Sequence, residues 1–130
     1  MRIVLAPSAF HPSLGGVEEL TLRLALELVR LGHEIVVVTN RWPLDLPRED
    51  RHEGIRVVRV PFSAPAARPR AVINHLAGRR QAQRELDQSC GSVDLVHVIC
   101  ASSQTEHMAS FAARHEVPFV LTTQGETEMD

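Results

Sequence analysis

GGVEELTLRLALELVRLGHEIVVVT, residues 15–39, is the stretch that decides the fold. Val17, Leu20, Leu24, Leu28 and Leu31 recur at helical spacing, while Glu19, Arg23 and Glu27 follow four apart on the polar side. Gly32 stops the helix as a residue free to turn left-handed. Glu34 to Thr39 is then a β-branched, nearly all-apolar strand of the kind buried on both faces of a parallel sheet. Upstream, Ile3 to Ala6 is a second such run, closed by Pro7. Strand, helix and strand over residues 2–39 make a right-handed parallel crossover. The expected class is α/β: a Rossmann-like open parallel sheet with helices on both faces, in three layers.

The rest of the chain extends this pattern. RWPLDLPREDRHEG, residues 41–54, is rich in proline and charge and reads as a surface loop. Ile55 to Val60 is a strand closed by Pro61. Pro65 and Pro69 delay the next helix to about Arg70, from which it runs to about Ser89. Leu95 to Ile99 forms a strand, Gln104 to His115 a helix with Met108, Phe111 and Ala112 on its inner side, and Val117 to Thr122 a last strand. The predicted order is β-α-β-β-α-β-α-β.

With 130 residues there is room for one core. A net charge of −2 gives no general reason to bind nucleic acid. All 14 basic residues are arginine, and the missing lysine excludes a P-loop and any Schiff-base enzyme. Cys90 and Cys100 form no CxxC pair and have no histidine at ligand spacing, so neither a zinc site nor a disulfide framework is expected, and a cytoplasmic setting fits. The opening MRIVLAP is too short an apolar run for a signal peptide or a membrane span.

Open parallel sheets bind ligands beyond the carboxyl ends of their strands. Gly15 and Gly16 stand there, at the start of a helix, where free amides and the positive end of the dipole favour a phosphate. Two glycines alone equally describe a flexible turn. There is no G-x-G-x-x-G, and the second strand ends in Asn40-Arg41 without a ribose-binding acid, which argues against a dehydrogenase. His97 lies in the strand DLVHV; a satisfied core histidine is the commoner reading, and its place near the strand end keeps it a candidate. Thr122, Thr123, Gln124, Gly125 and Glu126 put more polarity after the last strand than a connecting turn requires.

GGVEELTLRLALELVRLGHEIVVVT, DLVHV and PFVLTTQGE, in that order, resemble the amino-terminal half of family 4 glycosyltransferases of the two-domain GT-B fold, over nearly the whole chain. The resemblance implies a retaining transferase that moves a sugar from a nucleotide-sugar donor, a substrate rather than a cofactor, to an acceptor. By that similarity Gly15 and Gly16 approach the donor diphosphate, and the loop at Gln124 faces the transferred sugar and acceptor; from their place at the strand ends, His97, Thr123, Gln124, Gly125 and Glu126 are the residues expected to face substrate. No metal ion is implied. The sequence departs from the family pattern at Ile99, where a second histidine is common, and at Gln124, where a histidine often precedes the glycine. An amide shuttles no proton but can position a sugar hydroxyl.

The expectation is therefore the amino-terminal, acceptor-side domain, as a fragment or as one part of a split enzyme inactive by itself, without the carboxyl-terminal donor-binding domain. The alternative is a noncatalytic Rossmann-like module that binds an anion or a protein. Arg68, Arg70, Arg79, Arg80 and Arg84 surround Val72, Ile73 and Leu76 in a stretch with no acid, and add peripheral contact with the inner face of a membrane, or a lipid-linked acceptor, to the expectations. A solvated helix face is the plainer reading of the same residues.

Overall fold

The run Arg2–Pro7 forms β1 and takes the centre of the sheet because almost every one of its residues is apolar and buried. After it come α1 (Gly16–Arg30), β2 (Glu34–Asn40), β3 (Glu49–His52), β4 (Ile55–Val60), α2 (Pro69–Cys90), β5 (Leu95–Ile99), α3 (Gln104–Arg114) and β6 (Phe119–Thr122). The computed structural model describes residues 1–62 and 69–123, with the backbone alone for 69–77. Gln124, Gly125 and Glu126, together with Arg68 and the Arg70 side chain, lie outside the described residues.

The strands run in the order β3-β4-β2-β1-β5-β6, all parallel except the edge strand β3, which pairs antiparallel with β4. Residues alternate between two cores. Ile3, Leu5, Ile35 and Val37 face α1 with Phe10 and Ala25, whereas Val4, Ala6, Val36 and Val38 face α2 and α3 with Leu86, Met108 and Phe111. The chain steps from β1 to β2 over one face and from β4 back to β5 over the other, which gives both crossovers the same hand. The result is the three-layer, Rossmann-like α/β fold expected from the sequence.

Two details depart from the sequence reading. The stretch read as a loop contains β3, joined to β4 by a two-residue turn in which Glu53 (φ 53°) and Gly54 (φ 80°) are both left-handed, the geometry of a type I′ hairpin. β3 escapes pattern recognition because EDRH is wholly polar; charge on an edge strand discourages pairing with other chains. In α1 the inward side carries Thr21 and Ala25 with Val17, Leu24 and Leu28, so Leu20 and Leu31 point outward. Gly32, at φ 97°, does close the helix, and Arg23 pairs with Glu19 on the polar side at 2.6 Å.

Candidate functional site

The strand order reverses between β1 and β5, since the chain leaves β1 toward β2 and β4 and returns through α2 to the other side. In such sheets a crevice opens at the carboxyl ends of the two strands on either side of the reversal. Here its walls are the loop after β1, residues 8–15, and the loop after β5, residues 100–103.

Two groups lock the two loops together, and a third anchors the first loop to the β3 side of the sheet. Ser8 N donates to Ile99 O at 3.1 Å. Gln104, fully buried, donates from Nε2 to the carbonyls of Ala6 (3.2 Å) and Cys100 (3.0 Å), bridging both strand ends, while its Oε1 is buried without a protein donor among the described residues. Arg59 is 1% exposed; Nη2 donates to His11 O (2.8 Å), and Nη1 to Pro47 O (3.1 Å) and Asp50 Oδ2 (3.3 Å). One buried guanidinium thus holds the first loop to the segment before β3, and the ring of His11 stacks on His52 of β3 with centroids 4.1 Å apart. Sequence reasoning missed Arg59 and Gln104, because nothing in IRVVRV or SSQTE distinguishes a buried polar anchor from an exposed one.

Gly15 and Gly16 sit where expected, with Gly15 as the N-cap and Gly16 as the first residue of α1. Gly15 offers no side-chain cap, so the first-turn N–H groups point outward without intrahelical acceptors. A Cβ on Gly16 would meet nothing within 4 Å, which leaves the backbone there open to a ligand. A Cβ on Gly15 would stand 2.7 Å from Glu18 Oε1. Glu18, three residues beyond the cap, therefore folds its carboxylate back over the helix head, and Oε1 is buried without a protein donor among the described residues. Its spacing from Gly15 was the available signal. Any incoming anion has to displace or share this position.

His97 lies on the α1 side of β5, half-buried, with Nε2 2.6 Å from Thr122 Oγ1 on the neighbouring strand. Burial pulls its imidazole below the ordinary value, favouring the neutral ring. Thr123 follows β6 and is exposed. Since β1, β5 and β6 are adjacent, the glycine head, the β5 loop and Thr123 share one edge of the sheet.

The arginines lie elsewhere. Arg79, Arg80 and Arg84 line a cleft of about 720 Å³ that runs along α2 and α3, together with Arg114, the last residue of α3. Arg79 pairs with Glu106, and Arg114 with Asp87 at 2.8 Å, and Arg80 and Arg84 are exposed and outside these two pairs. Cys90 is buried, its thiol pushed up to about 11, and is unsuited to act as a nucleophile. No helix among the described residues is long and apolar enough to cross a membrane.

Similar proteins fit this architecture. Over 62 residues the chain is 40% identical to a GDP-mannose-dependent alpha-mannosyltransferase of Mycolicibacterium smegmatis, covering 47% of this chain and 16% of the relative. Over 61 residues it is 33% identical to the GPI3 subunit of phosphatidylinositol N-acetylglucosaminyltransferase of Saccharomyces cerevisiae, covering 47% and 14%. The chain thus spans about a sixth of the length of these curated relatives. Among solved structures it superposes on sucrose-phosphate synthase from Thermosynechococcus elongatus with a TM-score of 0.60 at 14% identity, over 95% of this chain and 33% of that one. It also superposes on the C-terminal domain of a hydrogenase from Pyrococcus furiosus, with a TM-score of 0.51 at 17% identity over 92% and 89%. Likeness at such identities establishes the fold, which serves many chemistries. The sequence match is the discriminating one: the model of Glycosyltransferase Family 4 covers residues 14–128, and the chain belongs to that family.

Proposed function

We propose that this chain is the amino-terminal, acceptor-side domain of a retaining GT-B glycosyltransferase that moves a sugar from a nucleotide-sugar donor to an acceptor hydroxyl on the cytoplasmic side of a membrane. The observation that carries the reading is the uncapped head of α1 at the β1–β5 crevice. Transfer breaks the bond from the sugar's anomeric carbon to the diphosphate and forms one to the acceptor oxygen. The acceptor's proton leaves, and a nucleoside diphosphate is released. Negative charge grows on the departing diphosphate, and outward amides at a helix head stabilise that charge without reorganising. His97, neutral and tied to Thr122, is suited to hold a sugar hydroxyl by hydrogen bonding, and residues 123–126 follow directly on that strand. The mannosyltransferase relatives make GDP-mannose the first donor to try.

One wall of a cleft neither excludes water nor contacts the whole donor, so a second Rossmann-like domain is part of the proposal, and this chain alone is expected to bind without turnover. Incubating it with a panel of nucleotide sugars and following free nucleotide tests this. Binding competed by pyrophosphate, with no sustained release, supports the reading. Sustained release abolished by Gln124→Ala overturns the two-domain account.

A further inference from the structure

We propose that Trp42 is a stacking platform for a pyranose ring, in a subsite at the carboxyl edge of the sheet that would take the acceptor sugar. The proposal rests on the glycosyl-transfer reading for its occupant. Trp42 follows β2 and is 71% exposed, an unusual setting for a side chain that gains most from burial. The segment carrying it is nevertheless held: Arg41 N donates to Val60 O (2.9 Å), Arg41 Nε to Leu46 O (2.7 Å) and Trp42 N to Asn40 O (3.1 Å). An exposed indole, with only two side-chain torsions and a held backbone beneath it, loses little freedom when a ligand settles on it.

Two clefts, of about 360 and 160 Å³, share Trp42 and Asn40 as walls. Ser103 lines the larger, and Ser8 and Ser13 the smaller, all on the crevice loops. Asn40 is oriented by its Oδ1, which accepts from Phe62 N at 2.9 Å. A flat apolar face rimmed by hydroxyls and a carboxamide matches a pyranose, whose C–H face is apolar and whose edge carries hydroxyls. The larger volume is at the lower end of small-ligand pockets, the scale of one sugar ring.

Trp42 is the only tryptophan, and the chain has no tyrosine, so its emission reports on this subsite alone. The test titrates the full chain with methyl pyranosides, with nucleosides and with inorganic phosphate. Saturable quenching or a blue shift with at least one methyl pyranoside is expected, at millimolar affinity. In ¹⁵N spectra the same sugar should shift the amides of Asn40, Arg41, Trp42 and Leu44, at least about threefold more weakly in Trp42→Phe and not at all in Trp42→Ala. No response to any pyranoside, response to nucleosides or phosphate alone, or unchanged shifts in Trp42→Ala overturns the proposal. Failure of the glycosyl-transfer reading is seen separately, as a nucleotide sugar that leaves the amides of Gly15 and Gly16 unmoved.

Discussion

Nη2 of Arg59, on β4 beside the edge strand, donates to the carbonyl of His11 at 2.8 Å, and this bond sets the path of the loop that leads to the glycine pair. The same guanidinium caps Pro47 O and pairs with Asp50, so a single buried cation ties three segments. Removing it leaves several acceptors unpaired. Arg59→Met is expected to lower unfolding stability by about 3 kcal/mol and to weaken nucleotide-sugar binding in the protein that remains folded. Urea unfolding with a binding titration checks both; a loss under about 1 kcal/mol would show that the loop is held by its apolar contacts instead.

Glu18 competes with the anion that the helix head would accept. Glu18→Gln removes the charge and keeps the shape, so pyrophosphate and nucleotide sugars should bind about two- to fivefold more tightly at low salt, from about 0.3–1 kcal/mol of dipole interaction. The gain should fade as salt rises. Weaker binding in the variant, measured by calorimetry, would mean that Glu18 contacts the ligand rather than blocking it.

Acid should destabilise the fold in two separate windows. Burial holds His97 below its ordinary value, so the unfolded chain takes up this proton first, and stability falls as pH drops below about 6.5. His97→Gln should flatten that part of the profile. Asp87 is held low chiefly by its hydrogen bond from Arg114, with His115 adding to it, so its contribution is complete above about 3.9 and is lost as pH falls through its folded value. Arg114→Met should affect only this lower window. Unfolding curves across pH decide, and a flat profile in the upper window for the unaltered chain would contradict the role of burial at His97.

The basic side of α2 is proposed to draw the domain weakly to anionic lipid. Arg79 is paired with Glu106, so the pull comes largely from Arg80 and Arg84. Replacing both with serine should cut sedimentation with anionic vesicles by about thirtyfold, at about 1 kcal/mol per arginine. Equal binding to neutral and anionic vesicles, or to neither, removes the idea.

Much of this was legible in the sequence where a local signal coincides with a structural need. Gly32 had to turn left-handed, the valines of β2 had to be buried on both faces, and Gly15 and Gly16 fell at a helix head because the amphipathic pattern begins just after them. Legibility ended where tertiary contacts choose among equals. Leu20 and Leu24 look alike in the helical repeat, yet only Leu24 packs against the sheet. EDRH lacks alternation and is a strand because β4 offers an edge and Glu53-Gly54 turns the chain back. Arg59 and Gln104 are polar residues each with one partner far along the chain, 48 and 98 residues away, beyond any local pattern.

The claim at the centre is that the head of α1 takes the donor's diphosphate. A ¹⁵N titration of the chain with GDP-mannose, repeated with Gly16→Val, tests it most directly. Saturable shifts centred on the amides of Gly15 and Gly16, reversed by pyrophosphate, are expected. In Gly16→Val, whose Cβ has no neighbour within 4 Å outside its own helix turn, affinity should fall at least about tenfold at unchanged melting temperature. Shifts confined to other edges of the sheet, or full affinity in Gly16→Val, would contradict it.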